Sequence, residues 1–428
     1  MKIIQLHDYF KDSTGVVSDS RKLIQDCLFI ALRGENFDGN QFAESAIEKG
    51  AKYALVDRPE IARKNERLIL VEDTLQSLQE LAKYHRKKIK AKIIGLTGSN
   101  GKTTTKELIN SVLSKKFNTK ATLGNFNNHI GVPLTLLEFD EDTEIGIVEM
   151  GANHQKEIDF LCQLAQPELG LITNFGQAHL QGFGGIEGVI TGKSEIYEYL
   201  SQTGGTIILN IDDPLQRKWM SYDPHYTFGE HTDANCRLEY LKRKYKPLAL
   251  NLEDQTIESQ LYGEYNFSNM GAAVALGKFF GLSQEQIQLG ISSYQSTNNR
   301  SQSIEKDNNK IILDAYNANP SSMKASISSF INNKRNKGVV ILGDMFELGR
   351  FTQQAHQQII EQLESTEIER ILLVGKHFFK TQSSDPRLSR FESLEEIKNY
   401  LSQNPIENSD ILIKGSRGMT MESVVDYL

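Results

Sequence analysis

The sequence is poor in cysteine. Only Cys27, Cys162 and Cys236 are present in 428 residues. An odd, widely separated set has neither the arithmetic of a disulfide framework nor the close spacing of a zinc or redox motif. No apolar run approaches the length needed to cross a bilayer, and the opening MKIIQLHDYFKDS is too polar for a secretory leader. The expectation is a cytoplasmic protein without a membrane partner. Proline is sparse at nine residues, and no internal repeat or low-complexity tract is visible, which excludes fibrous and disordered classes. Positive charge is not in excess either: 48 Lys and Arg against 55 Asp and Glu leave a net −7. Long-range attraction to nucleic acid is therefore not expected, and an anionic ligand needs a local basic pocket.

What remains is a globular composition, 39% apolar and 24% charged, long enough for about three domains. Residues 1–90 mix short strands (CLFIAL, KYALV) with a helix near 41–49. They close on LQELAKYHRKKIKAK, a helix turning basic, expected as a solvated face before a boundary. Residues 91–295 alternate apolar strands (KIIGLTG, IGIVEMG, LGLITN, GTIILNID) with helical patterns, which indicates a parallel sheet covered by helices. NFSNMGAAVALGKFFGL reads as a long small-residue helix closing this unit. A polar stretch, STNNRSQSIEKDNN, opens residues 296–428. Strands KIILDAY, GVVILGDM, RILLVG and DILIKGS follow and predict a second, smaller α/β domain.

The stretch IIGLTGSNGKTTTKELINSVL runs strand, turn, helix. In Gly98-Ser99-Asn100-Gly101-Lys102-Thr103-Thr104 the glycines let successive N–H groups face one anion, and the helix N-terminus adds its partial positive charge. Lys102 is expected on the terminal phosphates of ATP and Thr103 on magnesium. The glycine expected five residues before Gly101 is absent; Leu96 stands there. IGIVEMGANH puts Glu149 at the carboxyl end of a buried strand, where a carboxylate needs a partner or a metal. Taken singly, His179 is an ordinary loop histidine and Lys193 a surface lysine.

The ordered set TGSNGKTT, EMGANH, NFGQAHL, GKSEIY and LNIDDP resembles the Mur ligase family, ATP-dependent enzymes of peptidoglycan precursor synthesis. The likeness covers essentially the whole chain. It implies a three-domain α/β fold, a P-loop parallel-sheet domain flanked by a small N-terminal α/β domain and a C-terminal Rossmann-like domain. It also implies two magnesium ions, with Thr103 and Glu149 on one and His179 on the second. Lys193 is implied to be carbamylated by CO2, near that second metal. Lys102, His179 and Lys193 take the catalytic roles. A P-loop protein that switches a partner by hydrolysing ATP is the alternative of another class.

LDAYNANPSSMKAS, VILGDMFELG and KGSRGMTMESVV are similar to the family member that adds D-alanyl-D-alanine to UDP-N-acetylmuramoyl-tripeptide through an acyl phosphate. A sibling ligase or a folylpolyglutamate synthetase-like enzyme is the nearer alternative. The resemblance implies nucleotide contacts from Asn266, Arg300, Asp314 and Asn317. It implies contacts to the uridine substrate from Ser18, Asp19, Ser20 and Arg21, and further substrate contacts from Asn127, Asn128, Lys414 and Arg417. Lys414 and Arg417 suit an anionic group such as a peptide carboxylate. Tyr265 stands where many members carry histidine. The enzyme is expected to act as a monomer.

Overall fold

The computed structural model describes residues 1–296 and 299–428; Thr297 and Asn298 of the polar stretch 296–309 lie outside the described residues. Among the described residues the chain builds three main sheets in succession. The first is parallel and four-stranded, in the order Val16–Val17, Leu28–Ile30, Tyr53–Val56, Leu68–Leu70. The polar opening residues form a helix, Ile3–Lys11, whose buried face is Leu6, His7 and Phe10.

The second sheet has nine strands with Lys92–Thr97 third from one edge, between Leu169–Ile172 and Ile145–Glu149, all three parallel. The strands are buried on both faces, as sheets flanked by helices must be. Two further strands, Ala249–Leu252 and Gln255–Glu258, extend the far edge in antiparallel pairing. The alternation of strand and helix did not announce them, because no helix separates them. The expected small-residue helix is Phe267–Phe279, with Asn269 to Gly277 all buried. Such a helix is enclosed all round, and its small residues permit close approach: a Cβ on Gly277 would lie 2.9 Å from Val112 Cγ1.

The third sheet has six strands. Asn309–Asp314, Ser409–Lys414 and Lys337–Gly343 are adjacent and parallel at its centre. The sequence from Gln302 to Lys306, expected as polar connection, is instead an antiparallel edge strand against Asn309–Asp314.

The basic helix end needs correction. In Thr74–Arg86 the last two residues are not solvated. Arg86 is buried and donates from Nε to Ala165 O at 2.8 Å and from Nη2 to Glu168 Oε1 at 2.7 Å. His85 is buried too, Nε2 lying 2.7 Å from Phe139 O. The fork geometry of arginine satisfies carbonyls left open at a helix end, so these residues fasten the first unit to the second. The exposed cations of the run are Lys87, Lys88, Lys90 and Lys92.

Candidate active site

The strand Lys92–Thr97 ends in the turn 98–101, and the helix Lys102–Leu113 begins at once. Leu96 is fully buried within the strand and pairs with Glu149 across the sheet. The absent glycine is therefore replaced by one more strand residue, and the loop is correspondingly short. Gly98 has φ 142° and Gly101 φ 79°, conformations that favour glycine. A Cβ on Gly98 would lie 1.9 Å from Thr173 Oγ1, and one on Gly101 2.4 Å from Asn269 Oδ1. The loop is braced by the next strand end. Ser99 N donates to Asn174 O at 3.0 Å, and Asn100 N to Asn174 Oδ1 at 3.1 Å.

Lys102 folds back, its Nζ 2.7 Å from Gly98 O. Burial lowers its basicity and Arg300 adds to this, with Glu149 acting in the opposite direction. An anion entering here meets a desolvated cation, where attraction is strong. Thr103 Oγ1 donates to Glu149 Oε2 at 2.9 Å, and Asn127 Nδ2 to Glu149 Oε1 at 2.8 Å. Hydroxyl and carboxylate thus converge, two of the hard oxygen donors magnesium prefers. No cluster of three or more His, Cys, Asp or Glu is placed to hold a metal among the described residues.

Lys193 is not a surface lysine. It is 1% exposed on the helix Ile186–Thr203. Its Nζ donates to Ala152 O at 3.1 Å and lies 5.1 Å from the Phe183 ring centre. Among the described residues it has no carboxylate within ion-pair distance. Burial, reinforced by Lys102, pushes its basicity far down. His179 has φ 52° and pairs through Nδ1 with Glu347, from the third sheet's side.

Of these groups Ser99, Asn100, Gly101, Lys102, Thr103, Asn127, Glu149, Asn174 and His179 line one cavity of about 970 Å³ between the second and third sheets, which Thr104 also lines; Lys193 lies outside its lining. Arg300 lines it with Nε buried and without a hydrogen-bond partner among the described residues, its guanidinium 3.5 Å from the Tyr316 ring centre. Asp314 ends its strand at the cavity. It accepts from Lys414 Nζ at 2.6 Å, Ser326 Oγ at 2.8 Å and Ser301 N at 3.2 Å. Asn266 is tied by Nδ2 to Tyr262 O at 2.8 Å. Tyr265 shares a 2.7 Å hydrogen bond with Ser301 Oγ, so the residue in histidine's place joins the wall.

Three family models match in tandem: "Mur ligase family, catalytic domain" over residues 12–86, "Mur ligase middle domain" over 96–277, and "Mur ligase, glutamate ligase domain" over 299–417. A Bacillus subtilis protein named UDP-N-acetylmuramoyl-tripeptide--D-alanyl-D-alanine ligase is 37% identical across 97% of this chain and 93% of its own. The chain belongs to the Mur ligase family. Solved structures agree. MurF from Acinetobacter baumannii is 31% identical with a TM-score of 0.86, covering 99% of this chain and 98% of that one. MurF ligase from Thermotoga maritima in complex with ADP is 26% identical with a TM-score of 0.85, covering 100% and 98%.

In this Mur ligase, five of the residues expected to touch substrate take other partners. Lys414 is 2% exposed and committed to Asp314, with Asn317 O at 3.1 Å. Asn128 accepts from Ile130 N and Gly131 N at 3.1 and 2.9 Å, capping the helix Gly131–Leu137. Half-buried Asp19 and exposed Arg21 pair with each other at 2.9 Å on a loop with half-buried Ser18 and Ser20, outside the cavity's lining. Arg417 pairs with Glu422 at 2.8 Å and lines a second, smaller cavity.

Sequence reading missed Asn319 and Ser321. Asn319 caps the helix Pro320–Asn333 and its Nδ2 donates to Asn100 Oδ1 at 2.6 Å; Asn100 Nδ2 donates to Ser321 Oγ at 3.0 Å. The Asn-Pro-Ser signature announces a helix start, but nothing local says which loop that start will face. Glu347 was missed for the same reason.

Proposed function

We propose that this Mur ligase joins the amino group of D-alanyl-D-alanine to the terminal carboxylate of UDP-N-acetylmuramoyl-tripeptide, converting ATP to ADP and phosphate. The observation that carries this is a single cavity in which Lys102, the Thr103–Glu149 couple and Arg300 converge, in a chain aligned end to end with relatives of that name.

Gly98 to Thr104 cradle the phosphates with N–H groups, and Lys102 and Arg300 neutralise their charge. Thr103 and Glu149 would hold magnesium, which would supply Lewis-acid charge neutralisation at the phosphates. With the γ-phosphoryl group so placed, the tripeptide carboxylate attacks phosphorus; an O–P bond forms, the bond to ADP breaks, and an acyl phosphate results. The dipeptide amine then attacks the acyl carbon. A tetrahedral intermediate expels phosphate, and the amine's protons pass to solvent. No protein nucleophile is required, so positioning and charge neutralisation supply the rate. Asp314 and Asn317 serve the nucleoside, and Asn266 the base. Residues 1–90 hold the uridine nucleotide through the loop Ser18 to Arg21.

A second magnesium near His179 and carbamylation of Lys193 belong to the same reading. A buried ammonium without a carboxylate partner is costly. An amine already depleted of its proton is the form that adds CO2, and the resulting carbamate would be an anion beside metal. No helix among the described residues is long and apolar enough to cross a membrane; the reading makes the enzyme a cytoplasmic monomer, where ATP and nucleotide-linked substrates are at hand.

The test is an incubation with ATP, magnesium, D-alanyl-D-alanine and tripeptide nucleotides ending in lysine or diaminopimelate, read by mass spectrometry. Pentapeptide nucleotide with stoichiometric ADP is the expected product. Amide formation with free glutamate or diaminopimelate instead would move the assignment to a sibling. Protein-stimulated ATP hydrolysis without any ligated product would indicate a switch.

A further inference from the structure

We infer that Lys106 is a positioning residue for the reaction: acting through Thr122, it fixes Glu149 so that the carboxylate stays turned toward Thr103. The inference rests on the reading of Thr103 and Glu149 as the pair that would hold magnesium, and it adds the group that keeps them together.

Lys106 lies about one turn beyond Thr103 on the helix Lys102–Leu113 and is 3% exposed. Residues three apart share a helix face. Its Nζ donates to Thr122 O at 2.7 Å. Among the described residues its one ion pair is with Glu107, at 3.7 Å, and Glu107 is itself engaged by the Tyr294 hydroxyl at 2.8 Å. Burying an ammonium to meet a single carbonyl is costly. The reason lies in the residue that carries that carbonyl.

Thr122 follows the strand Thr119–Ala121, the edge of the second sheet. Its N–H donates to Ile147 O at 2.9 Å, prolonging the pairing by one residue. Its Oγ1 accepts from Glu149 N at 3.0 Å. The hydroxyl so takes the place of the next backbone partner, which the ended strand no longer supplies and which a buried N–H requires. An edge strand has a neighbour on one side only. The end of this one is therefore held by Ile147 and Glu149 from the sheet and by Lys106 from the helix. The chain then leaves at Leu123 and returns at Asn127, whose Nδ2 meets Glu149 Oε1 and whose O accepts from Gly151 N at 2.7 Å.

Glu149 is thus held at three points: its N–H by Thr122, one carboxylate oxygen by Asn127 and the other by Thr103. Thr103 and Lys106 belong to one helix, so the grip on the carboxylate and the grip on the strand end stay in register. Removing the ammonium leaves Thr122 O buried without its donor, and the strand end is freed to move away from Glu149. Groups that orient a metal ligand from behind carry effects of about 10–100-fold on metal affinity.

The test uses the full-length enzyme and Mn2+, which shares magnesium's preference for oxygen ligands. Binding is read by electron paramagnetic resonance in the presence of ADP, so no turnover is needed. Lys106→Met weakens Mn2+ binding to the ADP complex by about tenfold or more, while ADP affinity in EDTA, which reads Lys102 and the loop N–H groups alone, stays within about twofold of wild type. Thr122→Val has the same effect, and Thr122→Ser restores wild-type binding because serine keeps the hydroxyl that meets Glu149 N. The double variant Lys106→Met, Thr122→Val loses less than the two single losses combined, since both act along one path. Should melting show that Lys106→Met does not fold, the two Thr122 variants decide.

Mn2+ affinity close to wild type in folded Lys106→Met overturns the inference, as does equal binding by Thr122→Val and Thr122→Ser. So does a parallel fall in metal-free ADP affinity, which a general loosening of the helix would produce. Glu149→Gln is the control. If it binds Mn2+ as wild type does, the magnesium reading falls and takes the inference with it; if it loses the ion and Lys106→Met does not, the inference falls alone.

Discussion

Replacing Lys414 with methionine keeps the length of the side chain and removes its charge. In the native protein Lys414 and Asp314 are 2.6 Å apart, with side chains 2% and 15% exposed. Removing one partner of such a pair strands the other and costs about 3–5 kcal/mol. Asp314 retains the Ser326 hydroxyl and the Ser301 N–H, which places the expected loss near the lower end, about 3 kcal/mol. For a unit of this size, roughly 3 °C is lost per kcal/mol, so the C-terminal transition in calorimetry should fall by about 10 °C.

The pH dependence has a definite sign. Burial pushes the Asp314 carboxyl up, but Lys414 and the hydrogen bonds more than offset it, leaving its pKa below the ordinary value. A depressed carboxyl contributes stability above its unfolded value, about 3.9, and loses that contribution as pH falls through the folded value. In Lys414→Met burial prevails, Asp314 takes up a proton more readily, and the stability gap to wild type should narrow as pH falls. Asp314→Asn combined with Lys414→Met should regain much of the stability but not the affinity for ATP. A single-variant loss below about 1 kcal/mol, the level of an exposed pair, or a gap that widens on acidification, would refute the reasoning.

Gly98→Ala would force a Cβ to 1.9 Å from Thr173 Oγ1, so KM for ATP should rise more than about tenfold while the sheets still fold; an unchanged ATP-induced thermal shift would count against the loop's role. Lys193→Ala should lose most activity and regain part of it with added short carboxylic acids, and 13C-bicarbonate should give a carbamate resonance in the wild type only. Full activity of that variant without additive would dismiss the modification. Asn100→Ala removes hydrogen bonds to Asn319 and Ser321. At about 1 kcal/mol each, the docked form of the C-terminal sheet should become roughly tenfold or more less favoured, seen as a larger radius of gyration in X-ray scattering. Identical scattering would show that docking does not run through the phosphate loop.

Much of the site was legible because its parts are local. The phosphate loop needs two closely spaced glycines, a lysine and a helix start within a few residues, and a buried strand ending in a carboxylate is visible in IGIVEMG. The antiparallel extension at Ala249–Glu258 and the edge strand Gln302–Lys306 were not legible. Gln255–Glu258 and Gln302–Lys306 are short, half-exposed and polar, and lack the continuous apolar run that marks a parallel strand. Arg86 read as solvated because sequence shows its charge and not the open carbonyls of Ala165 and Gln166 waiting for it.

By itself, then, the sequence determined that a nucleotide loop exists, that a strand-end carboxylate stands near it, and that two α/β units follow a small first one, since each rests on short-range periodicity and backbone freedom. Which groups finally share a cavity was decided only by tertiary structure. Lys414 was drawn into a buried pair with Asp314, 100 residues away, and Glu347 was set against His179. Burial turned Lys193 from an apparent surface cation into an amine low in basicity. Partner choice and desolvation depend on what packs from across the sheets, and no window of neighbouring residues contains that information.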